Sequence, residues 1–164
     1  MATSLSSFSS ASAESSNGDV NSKQLLRASI VLPTYNESGN IEPLIHQLLS
    51  LRSQFDLEIL VVDDDSADGT AELVRLISHQ WPQVRLVRRV GRSGLSSAIK
   101  EGLLDATGDL ALVMDSDGQH DPSAVSKALE SLQANHLDLV VGSRFHPQSE
   151  IHGLSSRRER GSSW

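Results

Sequence analysis

Short apolar runs alternate with 3.6-residue stripes along this chain, and that alternation constrains its fold more than any other feature. Residues 29–33 (SIVLP), 57–62 (LEILVV), 84–88 (VRLVR), 110–114 (LALVM) and 137–141 (LDLVV) have the length and β-branched content of strands. Between them Ile41, Leu44, Ile45, Leu48 and Leu49 fall on one helical face. So do Leu73, Val74 and Ile77, then Leu95, Ala98, Ile99, Gly102, Leu103 and Ala106, then Val125, Ala128, Leu129 and Leu132. Asp121 and Pro122 mark the last helix start, with an N-cap acceptor followed by a proline where no N–H is needed. Strands that read as apolar on both faces, each followed by a helix, predict an α/β fold: a mostly parallel sheet with helices on both faces.

Ligands of such a sheet bind beyond the carboxyl ends of its strands. After the first run comes PTYNESGN, where Pro33 restrains the backbone, Tyr35 offers a stacking face and Glu37 can accept from the N–H donors of a base; an ordinary capped turn is the plain alternative. After the second stand Asp63, Asp64 and Asp65, adjacent carboxylates that suggest a hydroxyl-binding or cation-associated site more than a stability device, with Asp68 or Ser66 available to cap the next helix. After the fourth comes MDSDGQHDP. In an extended segment Asp115 and Asp117 share a side, so both carboxylates can converge on one hard divalent cation, with Gln119 adding a neutral oxygen. Arg88, Arg89 and Arg92 supply positive charge beside Gly91 and Gly94, either at the crevice or as a solvated basic loop. After the fifth run, Arg144 is placed to hold a phosphate through two hydrogen bonds, or to sit on the surface.

Composition removes several classes. A formal charge of −7, from 14 basic and 21 acidic residues, argues against a nucleic-acid binder, and an acidic protein that binds a diphosphate needs a local cation. The absence of cysteine excludes disulfides and thiolate chemistry. No run approaches the roughly 20 apolar residues of a membrane span. The calcium-loop pattern fails from both Asp64 and Asp115, and no P-loop, no G-x-G-x-x-G after the first run, no H-E-x-x-H and no G-x-S-x-G is present. His120 has no serine partner in sequence and reads as a structural hydrogen-bonder or ligand contact rather than a base. Residues 1–22 are Ser-rich and aperiodic and are expected to form a disordered leader ahead of a domain spanning 25–164.

Taken together, VLPTYNESGN, VVDDDSADGT, the Gly94-Leu95 segment, MDSDGQHDP and VGSRF resemble the nucleotide-sugar-binding half of a family 2 glycosyltransferase, in the polyprenyl-phosphate branch typified by dolichol-phosphate mannose synthases. The resemblance implies a Rossmann-like GT-A fold. It also implies inverting, Mg²⁺- or Mn²⁺-dependent transfer of a hexose from GDP-mannose, or alternatively UDP-glucose, to a polyprenyl or dolichyl phosphate at the cytoplasmic side of a membrane. Pro33, Tyr35, Glu37, Val62 and Asp64 then match the nucleoside pocket, Asp115, Ser116 and Asp117 the donor and metal site, Gln119 a further metal-associated position and Arg144 a phosphate contact. Two departures stand out: Ser96 replaces the second glycine of a Gly-Leu-Gly segment, and the chain stops at Trp164, where the family continues. The basic residues Arg157, Arg158 and Arg160 resemble the segment that approaches the lipid phosphate. The expectation is therefore the N-terminal donor-binding part of such a domain, incomplete at its C-terminus and inactive alone; a non-catalytic nucleotide-sugar-binding fragment and an inert interaction domain are the alternatives.

Overall fold

A computed structural model of the chain describes residues 25–118 and 122–142. In chain order the elements are β1 (Arg27–Thr34), α1 (Ile41–Leu49) with a 3₁₀ turn (Ser50–Ser53), β2 (Asp56–Asp63), α2 (Thr70–Gln80), β3 (Val84–Arg88), α3 (Leu95–Asp105), β4 (Leu110–Val113) and α4 (Pro122–Asn135). The strands form one parallel sheet in the order β3-β2-β1-β4. Strand order thus reverses between β1 and β4, and the topological switch point lies outside their carboxyl ends.

Side-chain alternation explains the two faces. Ile30 and Leu32 of β1 and Ile59 and Val61 of β2 point to one side, where Ile45 and Leu48 of α1, Val74 and Ile77 of α2 and Val125 and Leu129 of α4 cover them. Val31, Leu60 and Val62 point to the other, against Ala98 of α3. Helices on both faces were expected. The α3 contact differs from the expected stripe: Ala98 and Gly102 are its buried residues, whereas Leu95 and Leu103 are exposed. Small residues win there because the helix axis lies so close to the sheet that larger side chains have no room.

The fifth apolar run is a correction. Residues 137–142 form no strand, and Leu137, Leu139 and Val141 are exposed. Helix α4 ends with Leu137 N–H donating to Leu132 O at 3.1 Å and His136 at φ 50°, and no ladder follows. Apolar composition suits a strand, but a strand exists only where a neighbour meets its N–H and C=O groups. The expected leader, the Asp121 N-cap and the basic segment with Arg157, Arg158 and Arg160 lie outside the described residues.

The amino end of the sheet is closed by a buried polar cluster. The Ser29 hydroxyl donates to Glu58 Oε2 at 2.5 Å, Thr107 N–H donates to the same oxygen at 2.9 Å, Arg85 donates to Glu58 Oε1, and Gly108 N–H donates to Ser29 Oγ at 2.8 Å. Arg85 also reaches Asp105 Oδ2 at 2.7 Å, so the cluster ties the C-terminal end of α3 to β1, β2 and β3. Burial opposes ionisation of Glu58, yet these donors outweigh it and hold its carboxyl at about 2, below the ordinary 4.5. A depressed carboxylate stabilises the fold above its unfolded value, and that contribution is lost as pH falls from 4.5 towards about 2. Glu58→Gln should therefore cost on the order of 2 kcal/mol at neutral pH and flatten the acid limb of the stability profile over that window. Denaturant titrations across pH check it; an acid limb identical to the wild type would remove Glu58 from the account.

Candidate functional site

At the carboxyl end of the sheet the loops after β1 and β2 are woven together by short polar side chains. Asn36 and Asp65 adopt left-handed backbone (φ 56° and 58°), which their compact side chains tolerate. Asp63 accepts from Ser66 N–H at 3.0 Å and from the Ser66 hydroxyl at 2.5 Å, while Ser66 Oγ accepts from Asn36 N–H at 2.9 Å. Asn36 Oδ1 in turn accepts from Ala67 N–H at 3.1 Å. Glu37 N–H donates to Thr70 Oγ1 at 3.0 Å and Ser38 N–H to Asp68 Oδ2 at 3.0 Å. The Thr70 hydroxyl, aided by Ser38 N–H, holds the Asp68 carboxyl well below the usual carboxylate range. Backbone donors of the first loop are thus met by side chains of the second, which fixes where Tyr35 and Glu37 stand.

The three adjacent aspartates take separate protein partners at the end of β2. Strand alternation separates them, and each finds a protein partner: Asp63 on Ser66, Asp64 on Arg89 and Gly94 N–H (2.7 Å), and Asp65 on Arg88 at 2.8 Å. The arginines are engaged too. Arg89 is buried, correcting the solvated-loop alternative at that position, and Arg92 is exposed but chelated by both oxygens of Glu101 at 3.0 Å.

The loop after β4 closes the crevice from the other side of β1. Ser116 is buried and its hydroxyl donates to Pro33 O at 3.1 Å, so Asp115, which is exposed, and Asp117, which is half-buried, flank an inward anchor. Gly118, at φ 73°, lies beside the Asn40 side chain, whose Nδ2 donates to Glu37 Oε2 at 2.7 Å. The switch point therefore gathers Pro33, Tyr35, Glu37, Asp115, Ser116 and Asp117, with Asp64 joined to the group by its N–H donating to Thr34 O at 2.9 Å. Tyr35 is 62% exposed, a ring open to stacking. Val62 stands apart: it is fully buried beneath α3. Gln119 and Arg144 lie outside the described residues.

Two carboxylates and an anchored backbone turn are hard oxygen donors suited to Mg²⁺ or Mn²⁺. They supply only part of a shell. Among the described residues no group of three or more His, Cys, Asp or Glu is placed to hold a metal ion, so the remaining positions would belong to ligand oxygens, water or residues beyond that set. Sequence reasoning did not find the roles of Asn36, Ser66, Thr70 and Glu101. The first three sit in NES and SADGT turns and carried the signal of turn formers; Glu101 carried none, because its partners are nine and twelve residues away.

Comparison with known proteins bears on this arrangement. The model of the family described as Glycosyl transferase family 2 matches residues 29–162. A dolichol-phosphate mannosyltransferase of Pyrococcus furiosus is 40% identical over 73% of this chain and 34% of its own length. A dolichyl-phosphate beta-glucosyltransferase of Trichomonas vaginalis is 35% identical over 71% of this chain and 38% of its own. The chain thus spans between a third and two fifths of these curated relatives. Among solved structures, a mannosyltransferase of Pyrobaculum calidifontis in complex with GDP-Man and Mn²⁺ superimposes with a TM-score of 0.57 at 28% identity, covering 67% of this chain and 33% of that one.

Proposed function

The chain belongs to glycosyl transferase family 2, and from that premise we propose that it forms the donor-binding part of an enzyme moving a hexose from a nucleoside-diphosphate sugar to a polyprenyl or dolichyl phosphate, with GDP-mannose as donor. The observation that carries this reading is the gathering of an open aromatic ring, a base-accepting carboxylate and a flanking aspartate pair at the β1/β4 switch point.

In this reading Tyr35 stacks on the base, Glu37 accepts from its N–H edge, and Asp64 contributes to the nucleoside pocket from the end of β2. Asp115 and Asp117 hold Mg²⁺ or Mn²⁺, with Gln119 as a further ligand. When bound, the cation neutralises the diphosphate and eases its departure. Arg144 holds a phosphate oxygen. Transfer forms a bond between an acceptor phosphate oxygen and the anomeric carbon as the bond to the nucleoside diphosphate breaks on the opposite side, giving inversion. The attacking oxygen is already anionic, so no residue of this chain has to remove a proton from it. The acceptor's lipid tail puts the reaction at a membrane surface, and the resemblance to dolichol-phosphate mannose synthases implies its cytoplasmic side; among the described residues no helix is long and apolar enough to cross a membrane.

In a second reading the hexose is glucose and the donor UDP-glucose; the Trichomonas vaginalis relative, named a dolichyl-phosphate beta-glucosyltransferase, supports glucose as the transferred sugar. Calorimetric titration with GDP and UDP, each with Mg²⁺ or Mn²⁺ and again with EDTA, tests both. GDP should bind about tenfold more tightly than UDP, a difference of about 1.4 kcal/mol, and chelation should weaken both. A preference for UDP moves the assignment to the glucose donor, and no binding of either nucleotide with metal overturns donor binding altogether.

A further inference from the structure

Arg89, the residue after β3, is 2% exposed. A guanidinium persists in such a place only when its donors are met by acceptors of matching geometry. Here its Nη1 donates to Asp64 Oδ1 and, at 3.4 Å, to Gly94 O; its Nη2 donates to Ser97 Oγ at 2.6 Å; and its Nε donates to Glu101 Oε2 at 3.1 Å. The second oxygen of Asp64 accepts from Gly94 N–H at 2.7 Å. That bond requires the loop to turn inward at Gly94, whose φ and ψ of 125° are closed to an ordinary side chain. One side chain therefore joins the end of β2, the 91–94 loop and the first two turns of α3. Glu101 extends the junction by chelating Arg92 on the exposed side.

We propose that Arg89 is a positioning residue for the nucleotide site: it holds the Asp64 carboxylate in one orientation at the crevice and keeps the 91–94 loop closed against it, so that donor affinity depends on Arg89 through Asp64. The inference rests on the reading of Asp64 as part of the nucleoside pocket. It also accounts for an arginine at this position. Asp64, Ser97 and Glu101 lie on separate elements, and a planar fork with five donors spans them, whereas the single ammonium of a lysine cannot.

The test uses GDP and UDP titrations with Mg²⁺ and again with EDTA on the wild type, Arg89→Lys, Arg89→Met, Asp64→Asn and the Arg89→Met/Asp64→Asn pair, with thermal unfolding recorded for each. Both Arg89 variants should bind about tenfold more weakly while keeping the wild-type ratio of affinities with and without metal, and the pair should be no weaker than Asp64→Asn alone. Unchanged affinity in Arg89→Met and Arg89→Lys, whatever their melting temperatures, assigns Arg89 to folding only and overturns the proposal. So do losses that multiply in the pair, because Arg89 would then act independently of Asp64. Failure of the underlying reading looks different: Asp64→Asn binds as the wild type does, or the wild type binds neither nucleotide. Hydrogen exchange on the nucleotide-free protein then decides the latch itself. The Gly94 amide should exchange at least about tenfold faster in Arg89→Lys than in the wild type while the Ile59 amide is unmoved, and equal Gly94 rates overturn the latch.

Discussion

Asp115→Asn combined with Asp117→Asn should erase the metal-dependent part of nucleotide affinity, a loss of at least about 100-fold in Kd. Two charge-assisted contacts are removed at once, each worth about 1.5–3 kcal/mol, and the amides that replace them keep shape without charge. The acidic balance of the chain sharpens the effect, since a bare diphosphate meets repulsion from a protein of net charge −7. Thermal unfolding of the double variant separates loss of the cation site from loss of fold, since the substitutions leave the anchor of the turn, the bond from Ser116 to Pro33 O, in place. Titrations of GDP with Mg²⁺, with Mn²⁺ and with EDTA give the comparison. A double variant that still tightens on adding metal would sink the aspartate pair as the cation site, and a fold loosened in proportion to the affinity would assign the pair a structural part instead.

The inward turn of Ser116 between Asp115 and Asp117 was legible because its signal is local: period-two alternation after an apolar strand puts i and i+2 on one side and i+1 on the other. The same locality made β1 to β4 and α1 to α4 readable, since each carries its own periodicity and the alternation of elements implies the parallel sheet. It failed at residues 137–141, where local composition suits a strand but the deciding quantity is a partner for the ladder, which no window of sequence contains. The limit is the same at residues 63–65. Three adjacent carboxylates repel one another in sequence, yet their partners, Ser66, Arg89 with Gly94, and Arg88, come partly from the end of β3 and the loop after it, 23 to 30 residues away. Val62 shows the converse: it matches a nucleoside-pocket position by motif, and the pleat turns its side chain under α3.

Helix α3 makes the same point energetically, and it carries the other large expected effect. On helix propensity alone Gly102→Ala should stabilise by about 1 kcal/mol, because glycine is a poor residue in a helix interior. The packing reverses the sign. A Cβ at Gly102 would lie 2.4 Å from Val31 Cγ1 and 2.9 Å from Val62 Cγ2. Both neighbours are β-branched, fully buried and held in the central strands, so neither can rotate away cheaply. Gly102→Ala should therefore cost about 2–3 kcal/mol, and Gly102→Val more, as α3 is forced off the sheet. For a domain of this size the alanine variant should melt on the order of 10 °C lower, while Ser96→Ala, on the exposed side of the same helix, should be neutral or slightly stabilising. Lifting α3 also pulls Gly94 and Ser97 from Asp64 and Arg89, so nucleotide affinity should fall with stability in the Gly102 variants and hold in Ser96→Ala. Thermal unfolding and GDP titration of the three proteins measure both. A Gly102→Ala protein more stable than the wild type would mean that α3 rests farther from β1 and β2 than this packing requires, and the link from α3 to the crevice would fall with it.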